Sequence, residues 1–239
     1  ETAAADAARD LLGAQSQVLE PSLFALSQRT ASRPTAAALK AQMFTAPRSL
    51  VRTWGPRETV HLYNPGDWST VVSARSVWSR KGRQGTLASP AQLDHAVRLI
   101  EGLSEPPTRK ELLPAVSDDY ADAVAGWAAK ANQAPRYFAS GRLVFGLSLR
   151  GDICSGEKRG ASQTYPLRRQ WFPDLPWSLS SALEANTALT RRYLSLFGPA
   201  TVQDIAHYFG ATVAHARTWH AALTDELLPV RCGDLTLSA

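Results

Sequence analysis

Two glutamines two residues apart, Gln15 and Gln17, are the side chains best suited to chemistry at a carbon that develops positive charge. A carboxamide does not titrate, so it neither protonates a leaving group nor deprotonates water. Its carbonyl oxygen can face a forming carbocation and its amide can orient a water, provided charge on the leaving group already weakens the bond. The plainer role for such a pair is to satisfy backbone groups at a helix end. Thr59 and His61 repeat the spacing; a polar strand face of this kind could orient the glutamines or touch a phosphate, whereas a lone strand histidine is often only structural. Arg52 and Arg57 nearby, and Arg80, Lys81 and Arg83 in the Gly-containing loop 79–85, could contact phosphate, with solvated surface or linker residues as the alternative.

The elements that must position these residues follow from local punctuation. Gly13 is suited to stop a first helix over 3–12, and Glu20-Pro21 starts a second over 21–30 carrying Leu23, Phe24 and Leu26. Both glutamines then fall between helices, where residues i and i+2 of an extended backbone point the same way. Thr35 caps a third helix, 35–44, with Leu39, Met43 and Phe44 as its apolar stripe. Strands 49–54 and 58–63 flank Gly55-Pro56-Arg57, with Val60 and Leu62 on one face and Thr59 and His61 on the other. Three helices and a hairpin make a winged helix.

The pattern recurs twice. After a helical link over 66–78 come helices 90–102, 109–115 and 118–131, strands 137–140 and 143–147, and an irregular stretch over 150–176. Helices 180–197, 201–209 and 212–223 follow, with a hairpin of 228–231 and 235–237 about Gly233-Asp234. The fold class is therefore mainly α with short β hairpins (α+β), as tandem winged helix-turn-helix modules over 1–86, 87–178 and 179–239. Trp54 and Trp68 belong to the core and not to a base-stacking platform.

A chain of 239 residues with 44% hydrophobic content is globular, and its net charge of +5 permits a polyanionic partner. No apolar run approaches the roughly 18 residues that span a bilayer. Cys154 and Cys232 have no metal-ligand spacing and build no disulfide framework, which points to a reducing cytoplasm and a monomer with no metal or cofactor. No carboxylate pair, Ser/His/Asp arrangement or phosphate-cradling Gly loop supports another enzyme class. The recognition helices are poor in base-reading side chains: the first offers Lys40 and Gln42, the second opens with Asp118-Asp119, and the third offers His215, Arg217 and His220.

Three segments carry a resemblance. Leu12-Gly13-Ala14-Gln15-Ser16-Gln17, the pair Leu50-Val51-Arg52-Thr53-Trp54 with Thr59-Val60-His61-Leu62, and the run from Arg192-Tyr193-Leu194 through Gly198-Pro199-Ala200-Thr201-Val202 stand in the order found in the bacterial winged-helix DNA glycosylase superfamily. The chain resembles that superfamily over nearly its whole length. Its members remove alkylated purines and unhook interstrand crosslinks, and include self-resistance enzymes of antibiotic producers.

The resemblance implies a monofunctional DNA repair glycosylase acting on double-stranded DNA that carries a cationic N7- or N3-alkylated purine, including bulky adducts or crosslinks from a genotoxic natural product. It implies that Gln15 and Gln17 jointly position water and stabilise the sugar cation, supported by Thr59 and His61. The alternative is a non-catalytic winged-helix regulator or an adduct-binding protein. Ser16 departs from the family pattern, which has an apolar residue there. The family's portion beyond the third hairpin does not follow Ala239, and the chain opens without Met, so a fragment is expected.

Overall fold

The computed structural model describes residues 3–78, 87–233 and 235–238. Helix α1 (Ala4–Asp10) leads into a two-residue strand β1 (Ala14–Gln15), then α2 (Leu19–Ser27) and α3 (Ala36–Phe44). Leu12, at φ 54°, is the left-handed residue that ends α1, with Gly13 at φ 88° behind it. The Gly13 N–H donates to the Ala8 carbonyl at 2.8 Å and closes the helix. A Cβ on Gly13 would stand 2.2 Å from the Tyr63 ring, so only glycine lets the chain cross there into β1. Strands β2 (Val51–Trp54) and β3 (Val60–Tyr63) complete a sheet of order β1-β3-β2.

Helix α4 (Trp68–Ala74) and the capped α5 (Pro90–Glu101) follow. Ser89 and Gln92 satisfy each other's backbone at the start of α5, and Pro90 occupies its first turn. The span read as one helix over 118–131 is two, α6 (Asp118–Ala123) and α7 (Ala125–Lys130), broken at the buried Val124.

Strands 137–140 and 143–147 do not form. Residues Pro135–Arg150 are instead one long helix, α8, closed by Gly151 at φ 82°. Leu143, Val144, Phe145 and Leu147 are all buried, so a run of nearly consecutive residues faces the core, a pattern a short buried strand shares. The second unit therefore lacks the expected wing. Its only strands among the described residues are the minimal pair β4 (Lys158–Arg159) and β5 (Ser162–Gln163).

A single turn α9 (Arg168–Trp171) precedes α10 (Ala182–Phe197), α11 (Val202–Phe209) and α12 (Val213–Ala221). A hairpin of β6 (Pro229–Cys232) and β7 (Leu235–Ser238) ends this unit, which matches the expected three helices and wing. Ser181 with Glu184 and Thr201 with Asp204 form reciprocal caps.

Three cores hold these parts. Leu23, Leu26, Leu39, Met43 and Leu62 fill the first; Leu93, Ile100, Leu112, Leu143 and Leu147 fill the second. The remaining core joins the first unit to the third, with Trp68 and Val71 packed among Leu189, Leu194, Phe209 and Trp219. Trp68 is fully buried, and Trp54 meets Phe145 edge-on at 5.9 Å, as expected of core tryptophans. The buried Arg75 donates to the carbonyls of Trp54, Ser148 and Leu149, tying the end of β2 to α8. The sheet that carries the glutamines is thus braced from two sides.

Candidate active site

Gln15 ends β1 directly opposite His61, which in turn faces Thr53, so these three residues form one row across the sheet. Strand β1 is an edge strand, and Gln15 is exposed on it. Among the described residues no hydrogen bond ties the Gln15 carboxamide. Gln17, also exposed, lies past the strand in irregular backbone, where the Val60 N–H donates to its Oε1 at 3.1 Å. The plain expectation of an amide serving the backbone is thus met at Gln17 by a strand N–H and not by a helix end.

The residue between them is the anchor. Ser16 is fully buried; its N–H donates to the Val60 carbonyl at 2.6 Å and its Oγ accepts from Ser22 Oγ at 2.9 Å. Arg52 grips the same residue: Nε lies 3.2 Å from both the Ser16 carbonyl and Oγ, Nη2 donates to that carbonyl at 2.8 Å, and Nη1 donates to Gln163 Oε1 at 3.1 Å. The sequence leaves Arg52 as either a phosphate contact on the wing or a solvated surface arginine. It is half-buried with its fork turned inward, and burial pulls its guanidinium pKa below the usual value. Gln163 was singled out by no sequence signal, because its segment has no period.

An open cleft of about 380 Å³ adjoins this anchor. Gln17, Arg52 and Gln163 line it, with Val18 and Phe44 as apolar wall and Lys40, Lys158, Glu20 and Glu157 at charged positions. Lys40 pairs with Glu20 at 3.2 Å, so the cleft carries mixed charge. Gln15, Thr59 and His61 are not among its lining residues, so of the two glutamines only Gln17 borders the cleft.

His61 is only 3% exposed, stacked on Tyr63, with Nδ1 3.2 Å from the Thr59 carbonyl. Burial lowers its pKa to about 4, so the ring is neutral at neutral pH. The half-buried Thr59 donates its hydroxyl to the Pro56 carbonyl at 2.9 Å and closes its own turn. Of this polar pair, His61 is buried beside Gln15 in the same row of the sheet, and Thr59 is half-buried. Arg57 is exposed, but its Nη1 donates to the Tyr208 carbonyl of α11. Arg80, Lys81 and Arg83 lie outside the described residues. Among the described residues no group of three or more His, Cys, Asp or Glu could hold a metal, and no helix is long and apolar enough to cross a membrane.

The sequence model of the AlkZ-like DNA glycosylase family matches residues 8–238. This chain belongs to that family. As an AlkZ-like chain it is similar to the interstrand DNA cross-link repair glycosylase of Streptomyces sahachiroi, at 24% identity over 245 residues. That alignment takes in 96% of this chain and 62% of the relative, so the chain spans about three-fifths of the relative's length. The solved structure of Streptomyces sahachiroi DNA glycosylase AlkZ is similar with a TM-score of 0.77 at 22% identity, covering all of this AlkZ-like chain and 64% of that one. The likeness shows a shared fold, mainly helical with small antiparallel strand pairs.

Proposed function

We propose that this AlkZ-like chain hydrolyses the N-glycosidic bond of cationic N7- or N3-alkylated purines in double-stranded DNA. The observation that carries this reading is the pair of exposed carboxamides held on a buried residue: Ser16 is clamped by Arg52 and Ser22 while Gln15 and Gln17 stand at the open edge of β1. Edge strands expose backbone and side chains without a covering neighbour, so a deoxyribose can approach both glutamines there.

The two residues divide the work. The Gln15 carboxamide is the one without a protein tie and supplies its carbonyl oxygen to the positive charge developing at C1′. Gln17, fixed through Oε1, offers its Nε2 hydrogens to the attacking water or a neighbouring phosphate oxygen. The C1′–N9 bond breaks with its electron pair going to the cationic purine, which leaves neutral. Water oxygen bonds to C1′ and its proton passes to solvent. No side chain needs to titrate.

The name of the Streptomyces relative states interstrand cross-link repair. The same chemistry extends to a cross-link in this chain, because each alkylated purine of such a link carries the required positive charge. Duplex containing N7-methylguanine, incubated with the protein and then treated with mild alkali, should break at the lesion. Binding of the adduct with no abasic product would identify an adduct-binding protein instead.

A further inference from the structure

The second unit carries a concavity of about 480 Å³ that the account above does not use, lined by Arg109, Trp127, Lys130, Gln133, Phe138 and Arg142 among others. Three of its residues are cationic, and no carboxylate lines it. That contrasts with its surroundings. Arg136, Arg150, Arg159 and Arg169 in the same unit each face an Asp or Glu. Arg109 donates only to neutral acceptors, Ser140 Oγ and Gln133 Oε1 at 3.1 Å each and the Tyr137 carbonyl. Among the described residues neither Arg109 nor Lys130 has a carboxylate partner.

Aromatic rings accompany the cations. Arg109 Cζ lies 3.8 Å over the Tyr137 ring and Lys130 Nζ 5.3 Å from that of Trp127. Trp127 and Tyr137 are 40% and 43% exposed, in a molecule whose other tryptophans, Trp68, Trp78 and Trp219 among them, are largely buried. The site is also shaped for Arg109: a Cβ on Gly141 would stand 2.7 Å from its Cζ. Arg109 and Lys130, without a carboxylate partner among the described residues, beside the part-exposed Trp127 ring suit a phosphate joined to a base, since every base offers a face for stacking.

The concavity also lies near the cleft. Gln163, which Arg52 grips, is followed by Thr164, bridged to Thr108, and Tyr165, whose N–H donates to the Pro107 carbonyl at 2.8 Å. Arg109 is the next residue along, so the path from cleft to concavity is two adjacent backbone segments, roughly 10 Å.

We propose that this concavity is a second nucleic-acid site, which takes one unpaired nucleotide of a strand leaving the cleft, phosphate on Arg109 and Lys130 and base against Trp127. The strand as ligand rests on the DNA substrate proposed above; the site itself is tested without a lesion. Fluorescence anisotropy of a labelled ten-nucleotide oligo(dT) would be followed against salt for wild type, Arg109→Gln/Lys130→Gln, Trp127→Ala and Gly141→Ala, with thermal midpoints checked to exclude unfolding.

The charge variant should weaken binding at least about tenfold and flatten the salt slope by about 0.7, one phosphate neutralised on a single strand. Trp127→Ala should weaken it about tenfold with the slope kept, because a base face carries no counterion. Gly141→Ala keeps every charge, yet should weaken binding by displacing the Arg109 guanidinium. Unchanged affinity in all three would overturn the proposal, as would loss in the charge variant alone, which describes a non-stacking patch. Inorganic phosphate or dTMP displacing the oligomer at the oligomer's own dissociation constant would make it a free-anion site and overturn the strand assignment. Lack of excision by wild type in the lesion assay would remove the glycosylase reading and leave these binding outcomes as they stand.

Discussion

The first and third units share a plan of three helices and a hairpin, and the two hairpins have opposite fates. In the third unit β6 and β7 pair, among the described residues, only with each other apart from a single bridge from Ala200 to Ser238, and Arg231 stands exposed on the wing. In the first, β3 is flanked by β1 on its outer side and β2 on its inner side, while the Ser155 N–H donates to the Arg52 carbonyl along β2 and Thr53 meets Ser148 of α8. A hairpin covered on both edges turns its polar side chains inward. Arg52 and His61 are packed within the sheet that carries Gln15, whereas Arg231 stands exposed. The same local pattern packs its polar side chains in one unit and exposes one in the other, according to what surrounds it.

The largest consequence concerns His61. Its folded pKa, about 4, lies below the unfolded value of about 6.5, so between these limits the unfolded chain binds a proton that the folded chain does not. Stability is full above the upper limit and should be lost as pH falls toward the lower, by up to about 3 kcal/mol. Urea unfolding across this window checks it; His61→Gln should flatten the slope. A step in excision rate near pH 6.5 would instead place an accessible histidine in the reaction.

Arg52→Gln removes the clamp on Ser16 and should slow single-turnover excision by about 30-fold, roughly 2 kcal/mol, with DNA affinity within about threefold. Arg52→Lys should recover little, because one ammonium cannot span the Ser16 carbonyl and Gln163 together. The reverse split, rate kept and affinity lost, would return Arg52 to the role of a wing phosphate contact. Ser16→Ala deletes one buried hydroxyl while the Ser16 carbonyl stays gripped, at a cost of about 1 kcal/mol in unfolding free energy.

The smallest effect belongs to the free wing. Arg231→Gln should lower duplex affinity only a few-fold and the salt slope by about 1, with excision at saturating protein unchanged. A change in the saturated rate would erase the contrast between the two hairpins.

Much of this was legible beforehand. Caps at Thr35, Ser89, Thr201 and Thr212 are local hydrogen-bond chemistry and mark helix starts wherever they occur. The Gln-x-Gln stretch lies between helices as its Gly13 demanded, although the left-handed residue that ends α1 is Leu12. Helix α8 was not legible, because its nearly consecutive buried residues Leu143, Val144, Phe145 and Leu147 read equally as a short buried strand. Phe24, carried by the second helix with Leu23 and Leu26, is 66% exposed while those two are buried. The inward turn of Arg52 depends on Gln163, 111 residues away, which no local spacing reveals. Ser16 did carry a hint: a hydroxyl at a position that packs as an apolar one needs partners, and Ser22 and Arg52 are those partners.

The central claim is that exposed carboxamides on a clamped strand act at the transition state. Single-turnover release of N7-methylguanine from duplex by wild type, Gln15→Ala and Gln17→Ala, with affinity for the same duplex measured alongside, tests it most directly. Each substitution should slow excision at least about tenfold, leave affinity within a few-fold and keep the rate flat across neutral pH, since amides do not titrate. Unchanged excision in both variants would contradict the assignment, and efficient release of uracil by wild type would show that an acid or base outside it drives the reaction.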